Sequence, residues 1–194
     1  MNRTIPAVLV LVLMLALRTA PVAAQDRPEA WQIAAAVLPL PDSMRNGAAV
    51  LGYRGGKLVE LRAGRNEMIC LSDDPAGKGF HASCYHRSLE PFMARGRSLR
   101  AEGITRREQV DSVRLAEVKS GRIVMPSAAV LSSVFAESDS FDPAAGPAPG
   151  QRALDVIYLP YATQETTGIP EIPATDRPWL MFAGLPWAHV MVTR

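Results

Sequence analysis

Residues 67–100 read EMICLSDDPAGKGFHASCYHRSLEPFMARGRSLR, and the periodicity changes twice within them. A short apolar run at 67–71 gives way to SDDPAGKG, a loop by composition, and residues 80–85 resume as a strand. From Ser88 the spacing becomes helical. Leu89, Phe92, Met93, Gly96 and Leu99 fall on one side and Glu90, Arg95, Arg97 and Arg100 on the other, with Pro91 tolerated in the first turn. The stretch therefore predicts strand, loop, strand and helix, with the apolar stripe of the helix as core. Gly96 lies on that stripe, which predicts the close approach of another backbone or bulky side chain. Cys70 and Cys84 are the only two cysteines of the chain. Thirteen residues separate them, far from the C-x-x-C of a redox pair, so a structural disulfide tying the two strands is expected.

Working upstream, Asp26, Pro28 and Glu29 have the composition of a capping box. Trp31, Ala34, Ala35 and Leu38 then follow at i, i+3, i+4 and i+7, until Pro39 and Pro41 stop the helix. Runs at 48–54, 57–62 and 67–71, separated by Gly55-Gly56 and by AGRN, predict an antiparallel meander. Downstream, Thr105 and Glu108 open a third predicted helix that reaches about residue 120 before Gly121. Strands are expected at 122–125, 128–136, 153–161 and 187–193, with Pro- and Gly-rich loops between them. The pattern specifies an α+β fold: a mainly antiparallel sheet of about seven strands with three helices and one disulfide. Residues 25–194 are read as one globular domain, a chain length ordinary for a single core.

The first 24 residues read as a cleaved signal peptide. Asn2-Arg3 is a positive n-region, residues 5–17 are apolar apart from Pro6, and Val22-Ala23-Ala24 offers small residues for cleavage near Ala24. The run is shorter than the roughly 20 residues of a membrane span. No cysteine stands at the cleavage point for a lipid anchor, and no later segment is long enough to cross a membrane. The expected location is secreted or periplasmic.

Removal of Arg3 and Arg18 takes the 21 basic residues to 19, against 19 acidic ones, so the processed chain is formally neutral. A globally basic nucleic-acid binder is thereby disfavoured. The charge is unevenly placed, however. Residues 87–122 hold nine bases and five acids, a balance of plus four, and residues 135–176 hold one base and seven acids, minus six. The run Arg95, Arg97, Arg100, Arg106 and Arg107 can steer an anion to one face, or can simply be a solvated helix.

Motifs that would name a reaction are missing. There is no G-x-S-x-G, H-E-x-x-H, EF-hand loop or G-x-G-x-x-G, and Gly77-Lys78-Gly79 lacks the remainder of a phosphate loop. The sequence identifies neither a cofactor nor a metal and leaves both open. Two function classes remain. The favoured one is an exported non-catalytic domain that binds a small molecule or a protein. The other is a small acid/base or metal-dependent enzyme beside the disulfide, centred on His86, with Glu90, His81 and Asp74 as partners and Asp73 or His189 able to join. His86 and Glu90 are one helical turn apart, the spacing by which a carboxylate orients an imidazole. His81 and His86 have opposite parity on a strand, which argues against a two-histidine metal site. The six methionines after residue 25 read as core filling. The aromatic stretch WLMFAGLPW at 179–187, with Tyr158 and Tyr161, can line a pocket or fill a core.

Overall fold

A computed structural model describes residues 26–137, 141–145 and 150–194. The expected signal peptide lies outside them, as do parts of the loop after residue 137. Among the described residues no helix is long and apolar enough to cross a membrane.

In chain order the elements are α1 (Glu29–Ala36), the short α2 (Asp42–Arg45), β1 (Ala49–Arg54), β2 (Lys57–Arg62), β3 (Met68–Leu71), β4 (Phe80–His86), α3 (Glu90–Ala101) and α4 (Arg107–Lys119). They are followed by β5 (Ala129–Ala136), β6 (Arg152–Tyr158), the short α5 (Gln164–Thr167), β7 (Trp179–Met181) and β8 (His189–Thr193). All eight strands join one sheet in the order β2-β1-β3-β4-β5-β6-β8-β7. The fold is thus α+β on a mostly antiparallel sheet with three longer helices, as the sequence patterns specify.

The exception to antiparallel pairing is β1 with β3, and it corrects the expected meander. The β1–β2 hairpin turns at Gly55 and Gly56, whose φ values of 61° and 71° suit glycine. The next link then carries the chain back past β1, where Arg65 and Asn66 donate their backbone N–H groups to the Gly47 carbonyl. β3 therefore lands on the far side of β1 and runs parallel to it. A second correction concerns residues 122–125, which form no strand. Both sides of β5 are already paired, by β4 and β6, so Ile123 is instead buried in the core beneath α4. The eighth strand, β7, is only three residues long and follows a proline-rich loop, which hid it.

The sheet separates two cores, and the alternation of strand residues assigns each side chain to one of them. On one face Ala36, Val37 and Leu40 cover Val50, Met68, Cys70 and Cys84, while Ala35 meets Phe80, Ala82, Val134 and Phe141. On the other face α3 and α4 bring Leu89, Phe92 and Leu115 onto Ile69, Tyr85, Val156, Tyr158 and Trp187. Cys70 and Cys84 stand opposite one another in the β3–β4 register and form a disulfide under α1. The helical stripe is core as expected: Leu89, Phe92, Gly96 and Leu99 are buried.

Two capping expectations are replaced by tertiary bonds. Asp26 does not cap α1 but accepts from the Gly56 N–H, and Pro28 stands at the N-cap. The helix is instead fixed by buried Gln32, whose amide donates to the Tyr53 carbonyl (2.9 Å) and accepts from the Tyr53 N–H (2.6 Å). At α4 Arg106 stands at the N-cap with no side-chain cap bond, and Thr105 lines the cleft described next.

Candidate functional site

The predicted cluster beside the disulfide takes separate partners. His86 Nδ1 lies 2.8 Å from Ser88 Oγ and 3.3 Å from the Ser88 N–H, so the imidazole caps the helical turn that leads into α3. A ring nitrogen that accepts the backbone N–H leaves the other nitrogen to carry the proton. Glu90 turns away to Arg97 (2.7 Å) and receives the Tyr85 hydroxyl. His81 lies on the Tyr85 side of β4, stacked on Phe135 at 4.3 Å between ring centroids, and this cover pushes its pKa down. Asp74 accepts from the Ala76 N–H, and Asp73 accepts from the His81 N–H. Among the described residues no three His, Cys, Asp or Glu side chains are grouped to hold a metal ion.

What the fold does bring together lies on the opposite face from the disulfide. A cleft of about 510 Å³ opens where α3 and α4 meet the sheet. Its floor and walls include Leu71, Tyr85, Leu131, Tyr158, Phe182, Trp187 and His189, and the helices contribute Arg97, Arg100, Arg107, Asp111 and Arg114. The placement follows from local periodicity. Arg97 and Arg100 are adjacent on one side of α3 at i and i+3, and Arg107, Asp111 and Arg114 repeat at i, i+4 and i+7 on α4. β4 presents Tyr85 to this face because Cys84 is committed to the other.

Four guanidiniums face this cleft, and among the described residues their carboxylate partners are two, Asp111 and, behind Arg97, Glu90. Four positive charges less two negative ones leave two uncompensated. Arg114 is held hardest. Its guanidinium lies 3.8 Å from the Phe92 ring centroid, bonds Asp111 at 2.9 Å, and has a side chain only 12% exposed. Arg107 sits over the Phe182 ring at 4.7 Å and 3.6 Å from Asp111. Arg97 also donates to the Tyr85 hydroxyl at 2.8 Å, and Arg100 donates to the Gly96 carbonyl.

Donors predominate in the cleft. Among the described residues three buried side-chain polar atoms have no hydrogen-bond partner, and two of them, Arg114 Nε and Trp187 Nε1, belong to residues that line it. Both atoms are closed to solvent, so their unmade bonds are a cost of the packing around the cleft. His189 Nδ1 donates to the Trp187 carbonyl at 2.8 Å, so in the neutral ring Nε2 is free to accept. Burial, with help from Arg107, pushes the His189 pKa down and favours that neutral form. Desolvation likewise raises the Tyr158 phenol to about 12 and the Tyr85 phenol higher, so both remain protonated.

Arg97, Arg100 and Arg107 of the arginine run and Phe182 and Trp187 of the aromatic stretch, each segment ambiguous in the sequence, prove to line one cleft, while Arg95 pairs with Glu102 and Glu117 and Trp179 and Tyr161 lie elsewhere. Phe182 belongs to the aromatic stretch read from the sequence; Arg114 and Asp111 do not appear in that reading, although the α4 spacing of 107, 111 and 114 carries the signal for both. No protein-family model, no curated protein and no solved structure matches this chain, so its functional reading rests on the cleft itself.

Proposed function

We propose that this chain is an exported, non-catalytic binding domain, and that its ligand is a small organic anion with an apolar or aromatic body, held in the arginine-aromatic cleft. The observation that carries the reading is the convergence of four arginines on an aromatic floor. Guanidinium forks suit carboxylate and phosphate oxygens, and the rings of Phe92, Phe182 and Trp187 suit an apolar body. The excess of two positive charges supplies attraction in a partly desolvated site, where it is screened less than at an open surface. Export rests on residues 1–24, and the Cys70–Cys84 disulfide fits an oxidising compartment.

The test is a titration with phenyl phosphate and with benzoate, followed by calorimetry and by tryptophan fluorescence, at low and at moderate salt. Binding should saturate at one site per chain, weaken as salt rises, and weaken about tenfold or more when Arg114 is changed to Gln, the loss expected for one charge-assisted hydrogen bond. Binding of neutral benzyl alcohol as tight as that of phenyl phosphate would remove the basis for an anion site. N-terminal sequencing of the protein recovered from its native compartment checks export: a chain beginning at Gln25 supports it.

A further inference from the structure

Two rings of the arginine cleft stand side by side on neighbouring strands. Tyr158 of β6 and His189 of β8 are paired in the sheet register, with 5.1 Å between their ring centroids. Two arginines of α4 meet them there. Arg107 and Arg114 share Asp111, at 3.6 and 2.9 Å, which holds their guanidiniums together. Arg107 rests on the Phe182 ring, which lies 5.6 Å from His189 between centroids, and Arg114 is close enough to Tyr158 for its charge to act on the phenol. The Nδ1 proton of His189 is spent on the Trp187 carbonyl, so Nε2 presents a lone pair. Among the described residues neither Nε2 nor the Tyr158 hydroxyl has a hydrogen-bond partner, and neither is sealed from solvent as Arg114 Nε and Trp187 Nε1 are. Among the described lining side chains, two groups accept without donating: Asp111 and His189 Nε2. Asp111 is taken by the two arginines, which leaves His189.

We infer that the anionic head of the ligand is a phosphate monoester bound with one proton, and that His189 Nε2 accepts this proton while Arg107, Arg114 and the Tyr158 hydroxyl donate to the other oxygens. The inference rests on the anion-site reading above and names its head group. An oxyanion without a proton would set its own lone pairs against that of Nε2 and leave a largely buried acceptor unmatched. Carboxylates and sulfate esters near neutral pH have no proton to offer. A phosphate monoester has one, because its second ionisation lies near pH 6. The ring is poorly placed to supply the proton instead. Its charged surroundings in the cleft are Arg97 and Arg100 from α3 and Arg107, Asp111 and Arg114 from α4, and its sheet neighbours are Tyr158 and Met181. Four of those five charges are positive, and the one carboxylate is already paired twice. Burial and Arg107 accordingly hold the imidazole in its neutral form.

The experiment titrates phenyl phosphate and phenyl sulfate into the parent protein and into His189→Phe by calorimetry from pH 6 to pH 8, at constant ionic strength. The sign of the pH dependence is diagnostic. Charge attraction alone would tighten phenyl phosphate as it gains its second charge, whereas a proton held against Nε2 weakens binding by about tenfold or more over the same range. Phenyl sulfate, a monoanion throughout, should change by less than about threefold and bind about tenfold or more weakly than phenyl phosphate at pH 6. In His189→Phe the fall of phenyl phosphate affinity with pH should vanish. A phenyl phosphate profile that is flat or rises with pH in the parent would overturn the assignment while leaving the anion site standing. So would a phenyl sulfate profile that falls as steeply, because the proton would then belong to the ring, and so would a fall that persists in His189→Phe. Inorganic phosphate separates the ester from the free ion, and affinity equal to that of phenyl phosphate would overturn the monoester. If neither phenyl compound binds the parent, the anion site itself is overturned, and this inference with it. Should His189→Phe fail to fold, calorimetry of the parent in buffers of different ionisation enthalpy decides: uptake of about one proton per phenyl phosphate at pH 7.5 supports the assignment, and none overturns it.

Discussion

Replacing Gly96 with alanine sets two local effects against each other. In the interior of α3 alanine is favoured over glycine by about 1 kcal/mol. The added Cβ, however, would stand 2.9 Å from Arg114 Nη1 and 3.3 Å from Arg100 Nη1. Arg114 lies at the end of a flexible chain but is not free to swing, because Phe92 stacks on it and Asp111 bonds it. Moving it aside forfeits part of a desolvated cation–π contact worth about 2 kcal/mol. It also strains a weak bond from Arg114 to the Phe92 carbonyl at 3.4 Å. The gain and the loss nearly cancel, so Gly96→Ala should melt within about 4 °C of the parent, the shift that corresponds to about 1 kcal/mol in a domain of this size. Binding has no such compensation. The displaced guanidinium surrenders much of a charge-assisted bond of about 1.5–3 kcal/mol, which weakens phenyl phosphate about tenfold. Scanning calorimetry and isothermal titration read the two quantities separately. A variant stabilised by the whole helix gain, with phenyl phosphate affinity unchanged, would refute the placement of Arg114 against Gly96.

Other expectations follow from the same geometry. Changing Cys70 and Cys84 together to Ala should cost about 3 kcal/mol, the closure entropy of a loop of this length. It should leave phenyl phosphate affinity unaltered, since the disulfide lies under α1; denaturant titration measures the first, and a parallel loss of affinity in protein that is still folded would contradict the second. Phe92→Ala, at a site 3% exposed, should cost about 3–5 kcal/mol, and a near-neutral result in urea unfolding would mean that the α3 stripe is not core. The buried His189 ring is held below the ordinary imidazole range by desolvation. As pH falls through about 6.5 the unfolded chain therefore takes up protons first, and the stability present above that pH is lost below it. His189→Phe should flatten the dependence between pH 7.5 and 5.5 in equilibrium unfolding, and an unchanged slope would assign it elsewhere.

Strong local patterns were legible in the sequence: the stripe from Leu89 to Leu99, the alternation that sends Cys84 and Tyr85 to opposite faces, and the two isolated cysteines. The parallel pairing of β1 with β3 was not. It depends on which edge of β1 the chain returns to, and periodicity contains no information about edges. Residues 122–125 have strand composition, but a strand needs an unpaired neighbour, and β5 had none to offer. At the site, the His86–Glu90 spacing is real. The carboxylate is nevertheless taken by Arg97, two turns along the same face of α3, and the imidazole is turned to Ser88. The cleft itself was visible only in halves, as a basic run and an aromatic stretch more than 70 residues apart in the chain. Nothing in one dimension said that they would meet across a sheet.

An open eight-stranded sheet leaves two rims at which another chain could add as a further strand, and the two are guarded differently. At the β7 rim the outward Leu180 N–H already donates to the Pro170 carbonyl at 2.8 Å, and only three residues are on offer. The β2 rim is six residues long and is protected mainly by Lys57, Glu60 and Arg62. Arg62 is partly spent there, its guanidinium bonding the carbonyls of Arg45 and Ala48. Polymerisation of this protein, under conditions that screen or neutralise surface charge, should therefore begin at β2, and Glu60 and Lys57 are the places where a gatekeeper residue would matter.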